Sequence, residues 1–182
     1  MKTSDITVGF IALGCAKNQV NTEIMIRSVQ NAGYKITGDP EKSDVTVINT
    51  CGFIEDAKKE ALDTIFEVAA LKAEGKLKKI IVCGCLSERY KDSIAEEIFE
   101  VDGFLGVGSF DRIVEAVEAV LDGKKVEFFD SLDNIQLEGE RCVITPPSFA
   151  YLKIADGCSN CCAYCAIPSI RGKFRSRKME NI

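Results

Sequence analysis

The sequence contains no histidine among its 182 residues. That absence removes every histidine-based metal site and every Ser-His or Cys-His catalytic arrangement. No segment approaches the roughly 18–20 consecutive apolar residues that a membrane span needs. The opening Met1-Lys2-Thr3-Ser4-Asp5 has no apolar signal-peptide core ahead of the first apolar segment, so a cytosolic location is expected. No internal repeat or low-complexity tract is evident. What remains is 46% apolar and 28% charged, the balance of an ordinary soluble protein. The length suffices for one well-buried domain and a fragment of another.

Cysteine, by contrast, is abundant, with nine in the chain. A secreted disulfide scaffold is short and loop-rich, whereas this chain has long apolar strands and helices and an odd cysteine count. Thiolates bound to metal in a reducing cytosol fit better. Net charge is −5 and uneven: residues 150–182 carry six Lys/Arg against two Asp/Glu, so the acidic surplus lies before them. An acidic main domain argues against nucleic acid as direct target and suits a basic protein partner. Ordinary solubilising charge explains it equally well.

Strand and helix patterns alternate. Ile6–Leu13 is a continuous apolar run, which suits a buried parallel strand. Asn18–Ala32 has apolar residues at helical spacing, and Gly33 closes it. Val45–Ile48 is a second strand, and Ile54–Ala73 a long amphipathic helix ended by Gly75. Lys79–Val82 is a third strand, Glu88–Phe99 a third helix and Phe104–Val107 a fourth strand. Asp111–Leu121 is a helix, and Val126–Phe129 an edge strand. The order implies right-handed crossovers and an open parallel α/β sheet flanked by helices. Residues 1–130 are expected to form this domain, 131–148 a linker, and 149–182 the start of a further domain opening with a strand at Phe149–Ala155. Because the chain stops at Ile182, about one βα unit into that domain, it is expected either to be a fragment of a longer protein or to have an incompletely folded tail.

The cysteines fall into two sets. Cys158, Cys162 and Cys165 stand close together on a loop, a density that suits an iron–sulfur cluster. Three ligands on a four-iron cube leave one iron open for a substrate. Cys15, Cys51 and Cys85 each follow a predicted strand and sit beside Gly14, Gly52 and Gly84. Ligand sites of open parallel sheets lie outside the carboxyl ends of the strands, and neighbouring strands are about 4.8 Å apart. These three thiols can therefore converge on one object. Buried core cysteine is the ordinary alternative for each alone. Zinc is the competing metal, but structural zinc takes four ligands and each set supplies three. Cys83 is expected in the core, Cys142 in the linker without a partner, and Cys161 as a spare ligand at most. Gly106-Val107-Gly108-Ser109 is the weak basis for a third reading, a flavodoxin-like nucleotide binder.

The stretch Gly157-Cys158-Ser159-Asn160-Cys161-Cys162-Ala163-Tyr164-Cys165-Ala166-Ile167-Pro168 resembles the signature of radical S-adenosylmethionine enzymes, and of their methylthiotransferases in particular. Arg171-Gly172-Lys173-Phe174-Arg175-Ser176-Arg177 extends the match. Leu13-Gly14-Cys15-Ala16-Lys17-Asn18, Asn49-Thr50-Cys51 and Gly84-Cys85-Leu86 resemble the three cysteine boxes of that family's N-terminal domain. The first box and Ile167-Pro168-Ser169-Ile170-Arg171-Gly172 look like the branch that modifies an aspartate of a small-subunit ribosomal protein, rather than the branch acting on tRNA. Such enzymes have a complete radical S-adenosylmethionine barrel and a further small C-terminal domain, neither of which is contained here.

The resemblance implies two 4Fe-4S clusters. One on Cys158, Cys162 and Cys165 would bind S-adenosylmethionine and cleave it to a 5′-deoxyadenosyl radical. The other, on Cys15, Cys51 and Cys85, would carry the sulfur or methylthio group, and a second S-adenosylmethionine would supply the methyl. It implies cosubstrate contacts at Tyr164, Arg171 and Arg177, with Arg175 on a solvated face, and an electron donor such as a flavodoxin or ferredoxin. By itself the 182-residue chain is expected to bind a cluster without completing methylthiolation. The alternatives are a tRNA methylthiotransferase and a non-catalytic iron–sulfur or zinc-binding module.

Overall fold

In the computed structural model, residues 3–135 and 137–182 are described. The apolar run near the start forms β1 (Thr7–Ala12), followed by α1 (Ala16–Asn31) and a short β2 (Lys35–Thr37). Then come β3 (Val45–Thr50), α2 (Glu55–Ala73), β4 (Lys79–Gly84), α3 (Cys85–Arg89), α4 (Ile94–Glu97) and β5 (Gly103–Leu105). A 3-10 segment, Val107–Arg112, leads into α5 (Ile113–Leu121), and β6 (Val126–Phe128) ends the sheet. Two-residue strands β7 (Ala155–Asp156) and β8 (Arg175–Ser176) flank α6 (Ile167–Arg171).

The six strands β1–β6 are all parallel, in the order β2-β1-β3-β4-β5-β6. Helices cover both faces because each central strand is apolar on both. Val45 and Val47 pack with α1 and α5, through Met25, Val29, Ile113 and Val117. Ile48 from the same strand packs with α2, through Ala61, Ile65 and Val68. β4 divides likewise, with Ile81 and Cys83 on one side and Ile80 and Val82 on the other. Burying one such branched side chain contributes roughly 1.5–3 kcal/mol, so these two layers supply most of the fold's stability. The expected α/β class and the core placement of Cys83 are borne out.

The chain runs from β1 outward to β2, then returns to place β3 on the other side of β1. The strand order therefore reverses between β1 and β3, the topological switch point where open α/β sheets form a crevice at their carboxyl ends.

Four expectations need correction. The helix expected over Glu88–Phe99 is two short helices, α3 and α4. The chain turns between them, with Ser93 and Ile94 N–H both donating to the Tyr90 carbonyl; Asp92-Ser93 is turn-favouring sequence. Of Phe149–Ala155 only Ala155 lies in a strand, and Phe149, Leu152 and Ile154 stay half exposed. The short edge strand β2 was not anticipated. Gly106–Ser109 does not form a phosphate cradle: a Cβ at Gly108 would meet the Asp130 carbonyl oxygen at 2.5 Å, and Ser109 Oγ bonds Asp130 Oδ2.

The segment around Cys142 has no helix or strand but lies along α1. Cys142 N–H donates to the Glu23 carbonyl at 3.0 Å, Ile144 N–H to Glu23 Oε1 at 3.2 Å, and Arg141 stands 3.5 Å from Glu23 Oε2.

Candidate iron–sulfur site

Cys15 lies just beyond β1, Cys51 just beyond β3 and Cys85 just beyond β4, on adjacent strands of the sheet. Cys15 and Cys51 thus flank the switch-point crevice, and Cys85 comes from the next strand over. Cys15 is the N-cap residue of α1. Cys15 is exposed, Cys51 half-buried and Cys85 buried.

The loops are held together by specific contacts. Gly14 has φ +86°, and a Cβ there would meet Cys51 Cβ at 2.6 Å, so the first loop rests directly on the second. Gly84 has φ +100°, and a Cβ there would meet Asn49 Oδ1 at 2.3 Å and the Thr50 carbonyl oxygen at 2.7 Å. Only glycine fits this turn from β4 into α3. Asn18 Nδ2 donates to the Leu13 carbonyl at 3.1 Å and the Thr50 carbonyl at 2.9 Å, pinning the ends of β1 and β3 to α1. Arg89 Nη1 donates to the Gly52 carbonyl at 2.7 Å, joining the second loop to α3.

Burial pushes the Cys85 thiol above its ordinary pKa. The charge and hydrogen bond of Arg171 oppose that shift, while Cys51 and Cys15 add to it, so the three sulfurs share one electrostatic neighbourhood. Among the described residues, no group of three Cys, Asp or Glu closes around a point as a single-ion site requires. A cluster is wider than one ion and takes sulfurs that stand farther apart. Three thiol donors at the ends of three adjacent strands fit a thiolate-ligated cluster in ligand type and number.

The second set lies on the loop between β7 and α6. Cys158 and Cys165 are half-buried, while Cys161 and Cys162 are exposed. Cys158 N–H donates to the Gly172 carbonyl at 3.1 Å, and Cys165 N–H to the Cys162 carbonyl at 3.1 Å. A cavity of about 440 Å³ is lined by Ala16, Lys17 and Val20 of α1 and by Lys153, Asp156 and Gly157.

The other expected residues fall in different places. Tyr164 is 91% exposed. Arg177 donates to Glu138 Oε2 at 2.9 Å, to the Lys153 carbonyl at 3.2 Å and to the Asn181 carbonyl. Arg175, expected on a solvated face, is instead partly buried and donates to the Leu132 and Arg171 carbonyls. Arg171 is buried with Cys85, Asn18 and Asp156 as partners. Sequence reasoning missed Asn18 as a loop-pinning residue, although it stands three positions after Cys15.

The structure is a doubly wound α/β sheet with cysteines at the carboxyl ends of adjacent strands, joined to a second cysteine-rich loop. Residues 7–106 match the family described as uncharacterized protein family UPF0004, and the chain belongs to this family. Curated relatives include a protein named ribosomal protein uS12 methylthiotransferase RimO from Natranaerobius thermophilus, 51% identical over 96% of this chain. Proteins of the same name from Caldanaerobacter subterraneus and Syntrophomonas wolfei are 50% and 45% identical over 96% and 97% of it. The chain spans 40% of the length of each. The methylthiotransferase resemblance read from the cysteine boxes is thereby borne out. No helix is long and apolar enough to cross a membrane among the described residues.

Proposed function

We propose that this chain carries the two cofactor-binding cysteine sets of a methylthiotransferase. Cys15, Cys51 and Cys85 would hold one 4Fe-4S cluster, and Cys158, Cys162 and Cys165 a second that binds S-adenosylmethionine. The observation that carries this reading is the placement of three thiols at the ends of adjacent strands beside the switch point, close to a second thiol-rich loop. A cluster held by Cys158, Cys162 and Cys165 would supply one-electron cleavage of S-adenosylmethionine, and the chain's residues organise the setting. Asn18 ties the strand ends that present Cys15 and Cys51. Gly84 turns β4 so that Cys85 opens α3 at the crevice. Tyr164 and Arg177 are proposed to face the cosubstrate.

The proposed substrate is an aspartate side chain of a small-subunit ribosomal protein, in the cytosol, with a flavodoxin or ferredoxin as electron donor. Residues 1–130 would form the cluster-bearing sheet domain, 131–148 the linker and 149–182 the start of the cosubstrate-binding domain. The names of the relatives and the box Leu13-Gly14-Cys15-Ala16-Lys17-Asn18 favour this substrate over tRNA. The transfer is proposed for the protein at the length of its relatives. The test offers that protein, reconstituted and reduced, both uS12 and tRNA. Mass spectrometry is expected to find one methylthio group gained on uS12 alone. Modification of tRNA instead would overturn the substrate, and absence of S-adenosylmethionine cleavage would overturn the enzyme class.

A further inference from the structure

Arg171 lies 153 positions from Asn18 and 86 from Cys85, yet its guanidinium touches both. Its side chain is only 3% exposed. Nη1 donates to Asp156 Oδ2 at 3.1 Å, while Nη2 donates to Cys85 Sγ at 3.2 Å and to Asn18 Oδ1. Asp156 is fully buried and also pairs with Lys153 Nζ at 2.5 Å. Lys153 in turn donates to Asn21 Oδ1 at 2.8 Å. Two asparagines of α1, the segment leading to Cys158 and the end of α6 therefore form one buried polar network.

Asp156 accepts from both Lys153 and Arg171, and the second guanidinium nitrogen of Arg171, Nη2, reaches the Cys85 sulfur. A guanidinium hydrogen-bonded to a ligating sulfur favours the more negative, reduced form of a cluster, since hydrogen bonds to the sulfurs and local charge set its potential. The same arginine grips Asp156, two residues before Cys158. One side chain thus links Cys85 to the residue two positions before Cys158.

We propose that Arg171 is a positioning residue that raises the reduction potential of a cluster on Cys15, Cys51 and Cys85 and clamps the Cys158 loop to that site. This rests on the cluster reading above. The test uses the 182-residue chain with Cys158, Cys162 and Cys165 replaced by alanine, so that a single cluster is reconstituted anaerobically, and follows its midpoint potential by electron paramagnetic resonance. Arg171→Leu is expected to shift the potential down, and Arg171→Lys, which keeps the charge but loses the fork, to recover part of the shift. Lys153→Met loosens the same attachment without touching Cys85 and is expected to leave the potential in place. An unshifted Arg171→Leu potential, or an equal shift in Lys153→Met, overturns the tuning.

A second readout needs no cluster. In the metal-free chain with its cysteines intact, Arg171→Leu is expected to accelerate hydrogen exchange at the Cys158 amide, and unchanged exchange overturns the clamp. A chain that takes up no iron at Cys15, Cys51 and Cys85 overturns the cluster reading and the tuning together. The exchange experiment then decides the clamp by itself.

Discussion

Gly84 sits at φ +100° with Asn49 and Thr50 against the place a side chain would occupy, so Gly84→Ala is expected to destabilise the fold by about 1–3 kcal/mol. Calorimetry should show the lower Tm. Iron uptake at Cys15, Cys51 and Cys85 should fall with it, because the strained turn is what delivers Cys85 to the crevice. The glycine–cysteine pairs were legible in the sequence, since both residue types are present and their positions follow strand patterns. The Arg171–Cys85 contact was not, because a hydrogen bond across 86 positions leaves no local signature. Tyr164, which lies between two cysteines of the motif, is 91% exposed. Its place in a sequence motif gave no information about its surroundings.

Among the elements, β5 is anchored to its neighbours by Asp102, just before it. Its carboxylate accepts from Lys72 at 2.5 Å, Lys79 at 2.9 Å and the Ile80 amide at 2.9 Å. Burial alone would raise its pKa, but these three donors outweigh it and hold it below the ordinary carboxylate value of 3.8. A depressed folded-state pKa gives stability that is full above the unfolded value and is lost as pH falls through the folded one. Acid titration of stability should therefore show a loss beginning below about pH 4 that is smaller in Asp102→Asn. At neutral pH the same substitution should cost about 2 kcal/mol, the scale of a charge-assisted hydrogen bond. Denaturant unfolding measures both. The long periodic segments were readable as elements because burial of one or both faces wrote itself into the residue pattern. β2 was hidden because three residues at a sheet edge bury too little to leave a pattern. Phe149–Ala155 misled because apolar sequence shows capacity to pair, while a strand also requires a neighbour.

For the molecule as a whole, the sheet order is what joins the sequence to the proposed chemistry. Reversal between β1 and β3 places the Cys15 and Cys51 loops on either side of the switch point, and β4 brings Cys85 alongside. Alternating strands and helices made the α/β class legible, whereas the position of β2 outside β1, and hence the switch point, emerged only from the pairing. Residues 137–154 follow α1 and end in the Lys153–Asp156–Arg171 network, which brings the second cysteine loop to the same end of the sheet. The most direct test counts iron in the anaerobically reconstituted 182-residue chain and assigns it by Mössbauer spectroscopy. It compares the wild-type chain with the combined Cys15→Ala, Cys51→Ala and Cys85→Ala variant. The account predicts that the variant loses the iron and spectral signature of one 4Fe-4S cluster while keeping its fold. Iron content unchanged by the three substitutions would contradict it.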